Sequence, residues 1–389
     1  MTQPIIQGPI IQGPIIQGWC PGALRPMESG DGWVVRIRAH GGRLTAAQLS
    51  GIAALSQTHG NGLIDLSSRA NLQLRGVMPE THTPLIAGLR ALGLIDGTAQ
   101  DEAKRNIQVS PFWTTGDGTQ EIAAALETAL LSAPDLPGKF GYTIDIGPHP
   151  VLTQASADIR LERSTKGDLI IRADGFPLGQ ITTPQDAPAQ IVALATWFAE
   201  TGGITDGRGR MAAHIARGHI PAGDTAPAET APAAQPGSTP FGPLAALAFG
   251  QITAPDLASL ATQVSGVRLT SWRMLLLENP QGAPEGLILT PDDPLLRVIA
   301  CTGAPACPQA LGPTRNLARQ LAPHLPANRL LHVSGCAKGC AHPSACDLTL
   351  TATPAGYRLI HQGRAADAGR DLPQPTPSDL LEPANAPRL

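Results

Sequence analysis

Apolar and polar positions change period several times along the N-terminal part of the chain. WVVRIR (33–38) reads as a strand. GGRLTAAQLSGIAALSQTHG (41–60) reads as a helix, with Thr45 as N-cap and Gly60 as stop. LIDLSSRANLQLR (63–75) reads as two further strand pieces, so the segment is a βαββ-like unit. The order recurs in ITAPDLASLATQVSGVRLTSWRMLLLEN (252–279): a threonine cap, leucines at helical spacing, a glycine stop, then a strand. Thr45-x-x-x-Leu49 matches Thr253-x-x-x-Leu257, and Gly62 to Arg69 spans the same interval as Gly266 to Arg273. An internal duplication is the simplest account; chance likeness of two ordinary α+β units is the alternative.

Two stretches break the pattern. Residues 4–18 repeat PIIQG, and Pro and Gly at every turn of the repeat defeat helix and strand interiors alike, so residues 1–18 are expected to be a disordered tail. Residues 221–240 are rich in Pro, Ala and Thr and nearly devoid of large apolar groups, which is linker composition, and the linker is placed at 219–240. A chain of 389 residues is long for one core and favours two or three domains.

Strand alternation in RANLQLR (69–75) puts Arg69, Asn71, Gln73 and Arg75 on one face and Ala70, Leu72 and Leu74 on the other. Arg36 and Arg38 likewise oppose Val35 and Ile37. One side of the predicted sheet is therefore apolar and the other basic and amide-rich: a solvated face, or a surface for a ligand with many carboxylates. Guanidinium forks bind carboxylates bidentately and keep their charge. With a formal net charge of −3 and 15% charged residues, any anion site must be such a local arginine cluster; neither nucleic acid nor a membrane surface is expected as partner. No apolar run reaches transmembrane length and the N-terminus has no signal-peptide pattern, so a cytoplasmic location is expected.

Of six cysteines, four fall into two Gly/Ala-rich turns, CTGAPAC (301–307) and SGCAKGCAHP (334–343). Thiolates are soft ligands suited to zinc or iron–sulfur clusters, and C-x5-C fits zinc knuckles poorly. Gly303, Ala304, Ala306, Gly335, Ala337 and Gly339 let backbone amides approach a cluster's sulfurs. Buried free cysteines in loops are the bland alternative.

C-x5-C followed distantly by C-x3-C resembles the cluster signature of siroheme-dependent sulfite and nitrite reductases. The resemblance implies an α+β fold with a duplicated nitrite/sulfite reductase-like architecture. Two ferredoxin-like half-domains (19–100 and 241–290) would alternate with two larger core domains (101–218 and 291–375), the second carrying the cluster, before a C-terminal tail at 376–389. It makes Cys301, Cys307, Cys336 and Cys340 the ligands of a [4Fe-4S] cluster, Cys340 being the position that bridges to a tetrapyrrole iron, with Cys346 outside the motif. It places catalytic and tetrapyrrole contacts at Arg69 in SSRAN, Arg105 in KRNIQVSP and Lys139 in LPGKF; the basic face adds Asn71 and Arg75 as substrate contacts, with Arg273 (the duplicate of Arg69) a weaker candidate and Arg160 weaker still. The reductases commonly have a second lysine where this chain has Gly141, in KFGY, which argues against reduction of a small oxyanion.

WCPGALRPMESGDGWVVRIR (19–38) and VSGCAKGCAHPSACDLTLTATPAGYRLIHQGRAAD (333–367) resemble the precorrin-3B synthase branch of this superfamily. That branch implies an O2-dependent monooxygenation of the tetrapyrrole polycarboxylate precorrin-3A, with ring hydroxylation and γ-lactone formation, in cobalamin biosynthesis. It further implies a mononuclear non-haem iron beside the cluster. With no nucleotide-binding glycine motif, the electrons must come from an external donor protein or NAD(P)H-linked reductase. No 2-His-1-carboxylate pattern identifies the iron's ligands; His149 and His342 read as ordinary loop histidines or as candidates, and Cys20 as a reactive or metal-binding thiol. The alternatives are a sulfite or nitrite reductase, which alone would need siroheme, and a non-catalytic cluster- or haem-binding electron-transfer subunit.

Overall fold

Thr45 does cap a helix. Its hydroxyl accepts from Gln48 N at 3.2 Å while Gln48 Oε1 accepts from Thr45 N at 3.0 Å, a reciprocal capping box that opens the helix Ala46–His59. The computed structural model describes residues 21–381, so the repeat tail and Cys20 lie outside the described residues. Leu49, Ile52, Ala53 and Ser56 form the helix's buried stripe, and Gly60 ends it. Ahead of the cap, residues 40–42 form a tight turn and Arg43–Thr45 a short strand. In the second copy Thr253 caps Ala254–Gln263, its hydroxyl accepting from Asp256 N at 3.2 Å. Gly266 is not the stop of that helix but the first residue of the strand Gly266–Leu269.

The duplication extends to backbone torsions. Gly41 (φ 55°) and Phe249 (φ 58°) take the left-handed turn before each short strand, and Ala70 (φ 55°) and Arg273 (φ 60°) take it between each later strand pair. In the first copy Ser67 Oγ accepts from Arg69 N and Asn71 N; in the second Thr270 Oγ1 accepts from Trp272 N and Met274 N. Arg273 is therefore the counterpart of Ala70, and Trp272 that of Arg69. The equal intervals in sequence had paired Arg69 with Arg273, but the connections differ in length, so counting from a glycine misplaces the turn.

The described residues fall into two compact units, one within Cys20–Leu296 and one within Arg297–Leu389. In the first, the two copies exchange strands. Gln251–Thr253 adds to the antiparallel sheet of Met27–Ser29, Gly32–Ile37, Leu72–Val77 and Leu63–Leu66, with Ile252 opposite Ile64. Arg43–Thr45 adds to the sheet of Leu244–Ala246, Met274–Glu278 and Gly266–Leu269, with Leu44 opposite Val267. One apolar core holds Leu49, Ile52 and Leu74 of the first copy with Leu257, Leu260 and Leu277 of the second. Each such side chain stabilises by roughly 1.5–3 kcal/mol on burial, so the half-domains stand as one body rather than two. Thr45→Ala and Thr253→Ala are each expected to lower unfolding stability by about 1 kcal/mol, read as a lower urea midpoint with unchanged slope.

The same unit carries a third sheet. Ile107–Val109, Tyr142–Asp145 and Ile159–Arg163 run parallel, then Leu169–Ala173 and Gln180–Thr182 follow antiparallel. The helices Thr119–Ala129 and Ala187–Glu200 pack on it through Ile122, Leu126, Ile191 and Phe198. The Pro/Ala-rich stretch expected to be a linker is instead held along this layer: Gly179 N donates to Thr225 O and Ala228 N to Arg163 O, both at 2.8 Å, and Ala231 N to Pro150 O at 2.9 Å. Proline removes donors, but the residues between the prolines still supply enough.

The second unit repeats that sheet. Val298–Ala300, Leu331–Ser334 and Cys346–Thr353 are parallel, and Gly356–Gly363 and Arg370–Leu372 return antiparallel. A helix, Arg315–Leu321, again joins the first parallel strand to the second. Residues 377–380 are not tail but a capped turn that buries Leu380.

Candidate functional site

The four cysteines owe their meeting to parallel pairing. In open α/β sheets the loops that leave the carboxyl ends of neighbouring parallel strands face each other. Ala300 lies opposite Val333, so the loop starting at Cys301 and the loop carrying Cys336 and Cys340 leave the same edge. The loops are bonded together: Cys301 N donates to Val333 O at 3.3 Å, Leu311 N to Gly335 O at 2.7 Å, and Gly335 N to Cys301 Sγ at 3.2 Å. Gly335 is required by contact, since a Cβ there would stand 2.7 Å from Ala310 Cβ. Gly303 (φ 71°) is required by torsion and contact, since its Cβ would meet Thr314 Oγ1 at 2.6 Å, where that hydroxyl donates to Cys301 O.

Burial pushes the Cys340 thiol above its ordinary pKa, and Cys336, Cys301 and Cys307 push it further, while Lys338 opposes them. Cys340 is thus within electrostatic reach of the other three thiols. Among the described residues no three His, Cys, Asp or Glu side chains are gathered tightly enough for a single ion. The donor chemistry, four soft thiols on two loops that leave one edge of the sheet, suits a [4Fe-4S] cluster. Cys346 stands apart, buried at the start of its strand, its thiol donating to Leu330 O at 3.2 Å. His342 Nε2 lies 3.4 Å from Ala345 O and its ring meets that of His332 edge-on at 5.7 Å. His149 is exposed and bonded to Glu229 O.

The basic residues belong to the other unit, and the structure distributes them differently from strand alternation. The strand begins at Leu72, so Arg69 is on the preceding turn and Asn71 is buried at its end. Arg75 is buried: its Nε and Nη2 bind Asp31 at 3.1 and 2.7 Å, Nη2 also donates to Ser29 Oγ, and Asp65 is 3.8 Å away. Arg38 pairs at 2.8 Å with Glu102, a buried acid that also accepts from Ala23 N and Leu24 N. Arg105 grips Asp96 with Nε and Nη2, both at 2.8 Å, and donates to Arg38 O. Arg160 is held by Asp174 and by the carbonyls of Leu152 and Ala155. Arg273 packs across Gly250. Arg75 and Arg105 are thus held in ion pairs, because each has an acid within reach that the sequence order hides.

Arg69 meets the main chain at Lys139. Arg69 Nη2 donates to Lys139 O at 3.0 Å and to Ser156 Oγ at 2.9 Å. Lys139 is exposed and enters no ion pair among the described residues. A second guanidinium joins that of Arg69, one that sequence reading missed: Arg210 reaches Ser156 Oγ with both Nη atoms at 3.3 Å and binds Asp158 through Nε at 2.9 Å. Two guanidinium groups on one hydroxyl lie within about 6 Å of each other, where like charges near a surface repel by roughly 1–3 kcal/mol. Asp158, with no exposed side-chain surface, has its pKa raised by burial, which Arg210 and the amides of Met211 and Gly141 counter. Such a cluster is suited to carboxylates. No local motif flags Arg210, since it is far in sequence from Arg69.

Gly141 adjoins the cluster. Its N–H donates to Asp158 Oδ2 at 3.0 Å, and a Cβ on it would stand 2.9 Å from Asn106 Nδ2, 3.1 Å from Asn106 O and 3.3 Å from Arg69 Nη1. Asn106 is itself fixed, donating to Phe140 O at 2.8 Å. This position therefore excludes a lysine side chain unless Asn106 moves. Gly141→Ala is expected to cost about 1–3 kcal/mol, seen as a lower urea midpoint.

Residues 25–92 match the model of the nitrite/sulfite reductase ferredoxin-like half domain. A precorrin-3B synthase from a Sinorhizobium species is 30% identical over 90% of this chain and 83% of its own length. The sulfite reductase [NADPH] subunit beta of Saccharomyces cerevisiae is 32% identical over 23% of this chain and 6% of its own length. The ferredoxin–nitrite reductase of Synechococcus elongatus is 31% identical over 32% of this chain and 26% of its own. Among solved structures, the Mycobacterium tuberculosis NirA protein superposes with a TM-score of 0.57 at 18% identity, covering 87% of this chain and 77% of that one, a likeness of fold. The regional matches are to reductases, whereas the match sustained over 90% of the chain is of another kind: the chain belongs to the precorrin-3B synthase family of oxidoreductases.

Proposed function

We propose that the chain converts precorrin-3A to precorrin-3B in aerobic cobalamin biosynthesis, adding one oxygen atom of O2 to the ring while a side-chain carboxylate closes the γ-lactone. The observation that carries this reading is the 30% identity sustained over 90% of the chain. Gly141, packed against Asn106 and Arg69, favours it over oxyanion reduction, because the second lysine of the reductases has no place there. Cys301, Cys307, Cys336 and Cys340 would hold a [4Fe-4S] cluster, with Cys340 at the position that bridges to siroheme in the reductases. Bound there, such a cluster supplies single electrons. Arg69, Arg210 and Lys139 would clamp carboxylates of the tetrapyrrole, fixing which ring carbon meets the oxidant. Asn71 and Arg105 act behind this contact, in the turn of Arg69 and in the Asp96 pair. The mononuclear non-haem iron of the reading finds no ligand set among the described residues, and none is assigned. Electrons would come from a separate donor protein or NAD(P)H-linked reductase, and the enzyme would work in the cytoplasm.

The test is an absorption and EPR spectrum of anaerobically purified protein, with iron and acid-labile sulfide counted, followed by turnover of precorrin-3A under 18O2. A broad iron–sulfur shoulder without siroheme bands, and one labelled oxygen in the product, are expected. Siroheme bands coupled to the cluster would make the chain a reductase.

A further inference from the structure

The sheet beneath the Cys336–Cys340 loop carries a polar layer with one unexplained member. His332 lies opposite Thr349, and Ser334 opposite Thr351, on adjacent parallel strands, so these four side chains share a face. Three of them are bonded to the chain that covers them. Ser334 Oγ donates to Cys336 O at 2.7 Å, Thr349 Oγ1 to Gly363 O and Thr351 Oγ1 to Ala365 O, both at 2.9 Å. His332 is fully buried, yet neither Nδ1 nor Nε2 has a hydrogen-bond partner among the described residues. Burying a polar group unbonded is costly, and native proteins seldom leave one so.

The ring is aimed at the cysteine loop. Gly339, in the left-handed conformation (φ 62°), runs close enough that a Cβ on it would lie 3.7 Å from His332 Cε1 and 3.2 Å from Ala365 Cβ. Cε1 stands between the two nitrogens, so the ring's polar edge is turned toward the segment joining Cys336 to Cys340. His342, two residues beyond Cys340, meets the ring edge-on at 5.7 Å. Burial keeps the imidazole neutral, its pKa pushed down to about 4 with a smaller push from His342. A neutral ring has one N–H to give.

We propose that His332 is a positioning residue for the iron–sulfur cluster, donating its ring N–H to a thiolate or sulfide sulfur held by the Cys336–Cys340 loop. The inference rests on the cluster reading above. A hydrogen bond to a cluster sulfur stabilises the reduced, more negative state, so it sets the potential upward. The histidine then explains itself: it completes the polar layer once a sulfur acceptor is in place.

Two measurements test it on the full chain. In a redox titration followed by EPR, His332→Leu is expected to keep its iron and sulfide and to shift the cluster's midpoint to a more negative potential. His332→Asn or His332→Gln, which restore an N–H, should recover part of that shift. In wild-type protein carrying 15N-histidine, pulsed EPR of the reduced cluster should detect a weak histidine-nitrogen coupling that persists in His342→Leu and vanishes in His332→Leu. An unchanged midpoint in His332→Leu, or no histidine coupling in wild type, overturns the proposal while leaving the cluster reading intact. If His332→Leu assembles no cluster, the wild-type coupling decides. A wild-type preparation devoid of iron and labile sulfide would instead overturn the cluster reading, and this inference with it.

Discussion

Cys301→Ser is expected to yield a folded protein that holds less than about a tenth of the wild-type iron and labile sulfide and has no measurable oxidation activity. Serine keeps an acceptor for Gly335 N, which donates to Cys301 Sγ at 3.2 Å, so the lacing between the two cysteine loops survives. What is lost is the soft thiolate, and an alkoxide-forming oxygen is a poor ligand for iron–sulfur clusters at neutral pH. The remaining lacing, Leu311 N to Gly335 O and Cys301 N to Val333 O, is main chain and unaffected. Circular dichroism should be unchanged while the broad visible absorption disappears. Cys346→Ser is the control: its thiol donates to Leu330 O at 3.2 Å, a bond serine can also make, and it lies outside the four-thiol group, so cluster content should stay near wild type. Equal loss of cluster in both variants would mean that the cysteines act through the fold and not as ligands.

Arg69→Ala is expected to reduce kcat/KM for the tetrapyrrole by about 10- to 100-fold with cluster content unchanged, the loss corresponding to charge-assisted hydrogen bonds of roughly 1.5–3 kcal/mol. Arg69 spans Lys139 O and Ser156 Oγ, and on the proposed reading its removal would leave Arg210 and Lys139 to hold the carboxylates. Arg69→Lys should recover only part, since an ammonium has no planar fork. Arg210→Ala should act in the same direction as Arg69→Ala, and less than additively, because both guanidinium groups meet at Ser156. Arg75→Ala separates binding from folding. It strands Asp31 and Asp65 near a buried position, so it is expected to lower stability by about 3 kcal/mol and leave substrate affinity of the folded protein unchanged. Full activity in Arg69→Ala would remove the basic cluster from the substrate site.

Local chemistry explains what was legible and what was not. The helix caps at Thr45 and Thr253 are readable because capping is settled within four residues. The cysteine turns are readable for the same reason: Gly303 and Gly335 announce close approach wherever the chain goes. The ion pairs of Arg75 and Arg105 were not legible, because strand alternation around Arg75 and the motif likeness at Arg105 say nothing of the acid that meets the side chain; Asp31 and Asp96 arrive by turns outside the strand pattern. Arg210 was silent because its partners, Ser156 and Asp158, are contributed by a different loop. The proline-rich stretch read as a linker because composition records missing donors and cannot record that Gly179, Arg163 and Pro150 would supply the matching groups.

The sequence by itself determined the repeated βαββ order, the capped helices, the two cysteine turns and the family likeness, since each depends on residues close together along the chain or on motifs that survive without context. Only the tertiary structure decided that the two repeats exchange strands into one core, that Arg69 answers to Trp272 and not Arg273, that Arg69 and Arg210 meet at Ser156, and that His332 is left facing the cysteine loop. The physical reason is the same in each case. Strand pairing and ion pairing join residues remote in sequence, and which partner wins depends on register, burial and competing charges that exist only once the chain has folded.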